Sequence, residues 1–89
     1  MKYNMRTNAV IRTILNHFHS EKDKNVFDLY ETYYRIQEIH PDLDDREMDD
    51  LFSIIDENTD FGHYQESNQS FTLNRIKLDS FLQNGGLMH

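Results

Sequence analysis

Carboxylates are the groups in this chain best placed to do chemistry. Nine of its sixteen acidic residues fall between Pro41 and Asp60, against one base, Arg46. Asp45, Asp49, Asp50, Asp56 and Glu57 are spread along that stretch. Carboxylates at this density serve proton transfer, metal binding or recognition of a basic surface. Proton transfer needs a carboxyl group in an apolar setting that moves its pKa toward neutrality. No isolated pair stands in such a setting here, and a wet acidic face makes poor general acids. Nor is there a Gly-rich phosphate loop or a nucleophile elbow, so no enzyme is expected. Zinc or iron would call for histidine or cysteine at ligand spacing. The chain has no cysteine, and His17 and His19 stand two apart, a spacing that does not share a helix face. His40 and His63 are isolated, so neither a metal nor another cofactor is expected.

Two readings remain, a solvated outer face that serves solubility and a surface for recognition. Carboxylates spaced along a helix imitate in charge a line of nucleic-acid phosphates. Asp45, Asp49, Asp50, Asp56 and Glu57 are therefore the candidate contacts for a protein partner with a basic surface. The net charge of -7 points the same way, because a field of that sign attracts basic proteins and repels nucleic acid and anionic membrane. The charge is uneven. Residues 1–24 hold five bases and two acids, whereas residues 38–60 hold ten acids and one base.

The elements that must carry these groups follow from periodicity. At 89 residues the chain makes a single domain, with an ordered core over about 7–83. Thr7 or Asn8 is the expected cap of a first helix, whose apolar stripe is Val10, Ile11, Ile14, Leu15 and Phe18. Val26 and Phe27 form a short apolar pair before a second helix that runs to about Glu38. Asp28 and Glu31 give that helix a capping box, and Pro41 stops it. Asp44 and Glu47 form a second box at the start of the acidic helix, with Leu43 placed to staple onto Met48. Met48, Leu51, Phe52 and Ile55 give this third helix one buried face. Capping explains Asp44, Asp45 and Glu47 without any partner; it does not explain Asp49, Asp50, Asp56 or Glu57.

After Thr59 the period becomes extended. Residues 60–65 and 70–73 read as two strands joined by the polar turn Glu66-Ser67-Asn68-Gln69. A short last helix runs from Asn74 or Arg75 to Gln83, ended by Gly85-Gly86, with a loose tail expected beyond. The expected core comprises Ile11, Ile14, Leu15, Phe18, Leu29, Tyr33, Met48, Leu51, Phe52, Ile55, Phe71, Leu73 and Phe81. The fold class is mainly α (α+β): three helices, a two-stranded hairpin and a short C-terminal helix.

That order, with Val26-Phe27 as a small first strand pairing with the hairpin, resembles a winged helix-turn-helix from Thr7 to Gln83. In detail it is similar to the module at the N-terminus of the bacterial RNA polymerase delta subunit. The matching residues are Val26-Phe27-Asp28-Leu29, Asp60-Phe61 and Phe71-Thr72-Leu73. These are core positions, so the resemblance speaks for fold and not for function. That subunit also carries a long acidic tail, which this sequence lacks, so its role is not carried over.

The resemblance implies that the third helix stands where such a domain puts its reading helix. Phosphate contacts need Lys or Arg. Here that helix offers Arg46 alone among seven carboxylates, and residues 63–70 hold no base. The leading expectation is therefore a small acidic regulatory or inhibitory protein that binds a basic, nucleic-acid-binding protein. Such a chain would suit a phage or mobile element. The alternative is a dimeric winged-helix transcriptional regulator using a separate basic face of Lys2, Arg6, Arg12, Arg75 and Lys77. Tyr30 and Tyr34 supply more aromatic surface than one helix face needs, and are the candidate homodimer contacts. No apolar run is long enough for a membrane span and the N-terminus leads into no signal-peptide core, so a cytoplasmic location without membrane contact is expected.

Overall fold

The computed structural model of the protein describes residues 3–85. The elements run α1 (Met5–Ser20), β1 (Val26–Asp28), α2 (Leu29–Gln37), α3 (Asp45–Asn58), β2 (Gly62–Gln65), β3 (Ser70–Leu73) and α4 (Arg75–Gln83). The three strands form one antiparallel sheet in the order β1-β3-β2. Phe27 lies opposite Phe71 across β1 and β3, and Tyr64 lies opposite Phe71 across β2 and β3. Over the described residues the fold is a small α+β unit of four helices and this sheet. Val26-Phe27 pairs with the hairpin as expected.

The aromatic side chains explain why these elements meet. Phe27, Tyr64 and Phe71 point from the sheet onto α1 and α3. Phe18 sits 4.4 Å from Phe27 and 5.3 Å from Phe71, between ring centroids. Phe52 packs 5.2 Å from Tyr64 and 5.5 Å from Phe71. Aromatic pairs in this range add to the burial of their large apolar area. The helical stripes close around them: Val10, Ile11, Ile14 and Leu15 from α1, and Met48, Leu51 and Ile55 from α3. Phe61 and Leu43 join this core although neither lies in a regular element. Tyr33 and Phe81, expected inside, are only partly buried and pack against its edge.

The first helix begins at Met5, not after Thr7 or Asn8. Three residues of capping type, Asn4, Thr7 and Asn8, lie close together. Asn4 prevails, because its side chain accepts the Thr7 N–H at 2.8 Å and its carbonyl accepts the Asn8 N–H at 3.0 Å. The earlier start also brings Arg6 into the helix. Both expected capping boxes form only by half. Asp28 accepts the N–H groups of Tyr30 and Glu31, and Asp44 accepts that of Glu47 at 2.8 Å. The reciprocal carboxylates are drawn elsewhere: Glu31 to Lys24 at 3.1 Å, and Glu47 to Arg6. A cationic partner outcompetes a neutral N–H for a carboxylate.

The hairpin turn places Gln69 at φ 54, in the left-handed region. Gly62 opens β2 because nothing larger fits. A Cβ there would lie 2.2 Å from Cε1 of Phe71 and 2.8 Å from the Thr72 carbonyl oxygen. The expected tail, and Lys2 at the other end, lie outside the described residues.

Candidate surface of the acidic helix

The carboxylates in and around α3 face three ways. One set faces α1. The Arg6 guanidinium forks onto Glu47, with Nη2 2.9 Å from Oε1, and its Nε donates to Asp42 at 2.8 Å. A planar guanidinium suits two carboxylates at once. Both partners hold the Arg6 pKa above its ordinary value, Glu47 more than Asp42, and Arg6 in turn holds the Asp42 carboxyl below its ordinary 3.8.

A second set faces the sheet. Asp49 accepts a hydrogen bond from the buried Tyr64 hydroxyl. Burial first, and then that hydrogen bond to Asp49, push the Tyr64 pKa well above its ordinary 10.0. Asp56 accepts the Tyr64 backbone N–H at 3.3 Å and lies 3.3 Å from Nδ1 of His63. Two of the five candidate contact residues thus hold strand β2 against α3.

The third set faces solvent. Asp45, Asp50 and Glu57 are exposed and make no hydrogen bond or ion pair among the described residues. Asp45 and Asp50 line an open cleft of about 420 Å³ between the starts of α2 and α3 and the hairpin turn, together with Tyr30, Arg46 and Gln69. Glu57 stands twelve residues beyond Asp45, about 18 Å along the helix axis. The exposed carboxylates are therefore spread along the length of α3, two of them at a cleft.

Two of the basic candidates are engaged inside the fold. Arg6 is committed to Glu47 and Asp42. Arg75 donates to the carbonyl oxygens of Phe18, Glu21 and Lys24. It thus satisfies carbonyls that the end of α1 and the loop after it leave without helix partners, and joins α4 to both. Its guanidinium carbon also lies 6.0 Å from the Phe27 ring centroid. Arg12 and Lys77 are exposed, and Lys2 lies outside the described residues.

The two candidate dimer tyrosines also part company. Tyr30 borders the acidic cleft, whereas Tyr34, 62 % exposed, borders a depression between α1 and α2. Each described histidine has a different neighbour. His17 packs 5.8 Å from Phe27, and burial lowers its pKa below 6.5. His19 lies 3.3 Å from Asp79, and His40 2.9 Å from the Thr13 hydroxyl. Among the described residues no helix is long and apolar enough to cross a membrane.

Sequence reasoning missed the internal duties of Arg6, Arg75, Asp49 and Asp56. Their partners lie 7 to 57 residues away in the chain, at separations no local pattern encodes. Comparison with protein-family models, with curated proteins and with solved structures returns no match.

Proposed function

We propose that this chain is a winged-helix-like regulatory or inhibitory protein that docks a basic, nucleic-acid-binding protein through the exposed carboxylates of α3. It acts by occupying a surface, without catalysis. The order α1-β1-α2-α3-β2-β3 with sheet order β1-β3-β2 supports the winged-helix reading. The observation that carries the docking reading is the set Asp45, Asp50 and Glu57: exposed, without hydrogen-bond or ion-pair partners among the described residues, on a helix whose only Lys or Arg is Arg46. Asp49 and Asp56 contribute to the same field while serving the fold.

The test is a variant that removes docking charge and spares structure: Asp45→Asn, Asp50→Asn and Glu57→Gln together. Asp49 and Asp56 must stay, since they hold β2. Exposed pairs contribute roughly 0.2–1 kcal/mol each, so the triple variant should weaken a captured basic partner by about 0.6–3 kcal/mol, mainly through association rate. Its melting temperature should match that of the parent. Binding that is unchanged in the triple variant, or insensitive to salt, would reject the exposed carboxylates of α3 as the contact.

The alternative, a dimeric DNA-binding regulator, draws support from the winged-helix order alone. Arg6 and Arg75, both among its basic residues, donate to groups inside the chain. A cytoplasmic site of action in a cell infected by a phage or carrying a mobile element fits the leading reading.

A further inference from the structure

Asn84 caps the C-terminal end of α4 and is followed by Gly85. We propose that Asn84 is a site of spontaneous modification, the first asparagine in the chain to convert to aspartate and isoaspartate. The reaction needs no enzyme. The Gly85 amide nitrogen gives its proton to solvent base and attacks Cγ of Asn84. A C–N bond forms, the Cγ–Nδ2 bond breaks, and ammonia leaves. Water then opens the five-membered succinimide at either carbonyl, giving aspartate or isoaspartate. No electron changes hands.

Three observations single out Asn84. A side chain on the following residue obstructs the attack, and Asn84 is the only asparagine in the sequence followed by glycine. It is exposed, and Gly85 already lies at φ 93, a backbone state that other residues avoid. Most other described asparagines have their side-chain amides occupied. Asn4 and Asn74 cap helices, Asn8 and Asn58 donate to carbonyl oxygens, and Asn68 bonds Gln65. Asn16 and Asn25 lack such bonds but precede His17 and Val26. The Asn84 side chain makes no hydrogen bond among the described residues. Only the 3.2 Å bond from the Gly85 N–H to the Leu82 carbonyl restrains the nucleophile, and it lies at a helix end, where such bonds open readily.

The product has a structural consequence. A new carboxylate at the end of α4 meets the negative pole of the helix dipole. The last turn of α4 carries Phe81, 5.1 Å from Phe61, and Leu82, both packed on the core. Conversion should loosen that turn and leave the exposed carboxylates of α3 untouched.

The full chain is incubated at mildly alkaline pH, digested, and followed by mass spectrometry with chromatographic separation of the isomers. The peptide holding Asn84 should gain a single mass unit before any other, as two isomers, and Gly85→Ala should slow the gain severalfold. Asn84→Gln should abolish it there. Hydrogen exchange in the last turn of α4 should quicken in the converted chain. Faster conversion at another asparagine, or an unchanged rate in Gly85→Ala, would overturn the proposal.

Discussion

The bond between Tyr64 and Asp49 marks a carboxylate that serves the fold among others left open to solvent, so its removal is the most informative perturbation. Tyr64→Phe keeps the ring against Phe52 and Phe71 and deletes only the hydroxyl. The acceptor is a carboxylate and the donor is buried, which puts the bond among those contributing about 1.5–3 kcal/mol. A domain of this length has roughly 4–13 kcal/mol of stability in all. At about 4–8 °C per kcal/mol for a small domain, we predict a fall in melting temperature of roughly 6–24 °C. Asp49→Asn should fall by a similar amount, and the double variant by little more than either alone, because the two residues share one interaction. Thermal unfolding followed by circular dichroism reads all four proteins. A Tyr64→Phe variant within about 0.5 kcal/mol of the parent, the range of an ordinary surface substitution, would refute the structural assignment and return Asp49 to the docking surface.

Other predictions test the frame around that bond. Gly62→Ala should cost about 1–3 kcal/mol in denaturant unfolding, because its Cβ would overlap a Phe71 ring held by Phe18 and Phe52; a neutral result would contradict the packing of β2 on β3. The folded Asp42 pKa lies below 3.8, so its contribution is present above 3.8 and lost as pH falls through the lowered value. Arg6→Gln should remove that part of the acid dependence in melts taken across the range. The raised Tyr64 pKa has the opposite sign: stability should hold below 10.0 and decline as pH rises beyond it, and Tyr64→Phe should flatten the decline. Light scattering should show a species of twice 10.7 kDa if Tyr30 or Tyr34 forms a homodimer contact, and a species at 10.7 kDa would reject the dimer.

Much of this fold was legible in the sequence because local rules set it. Val10 to Phe18 and Met48 to Ile55 carry helical periods; Pro41 ends what precedes it; Asp28, Asp44 and Asn74 cap as their types predict. The four-residue turn between β2 and β3 falls where polar residues interrupt two extended runs. What was not legible depends on distant partners. Asn4, Thr7 and Asn8 are equal as caps by type, and the packed structure, with Arg6 reaching Glu47, selects the first. Asp49 and Asp56 look in sequence like two more members of a solvated face. They differ because the sheet lies over that side of α3 and offers a hydroxyl and a backbone N–H. The acidic surface was foreseeable as a composition; its division into carboxylates held by Arg6, carboxylates bonded to β2 and carboxylates open to solvent needed the tertiary arrangement.

The central claim is that α3 meets protein and not DNA. The direct measurement is fluorescence anisotropy of a labelled DNA duplex titrated with the full chain at low salt, where phosphate contacts are strongest. The account predicts no saturable binding, and none in the Arg12→Ala and Lys77→Ala variants either. Saturable binding by the parent that either substitution weakens, and that the Asp45→Asn, Asp50→Asn, Glu57→Gln variant strengthens, would contradict it.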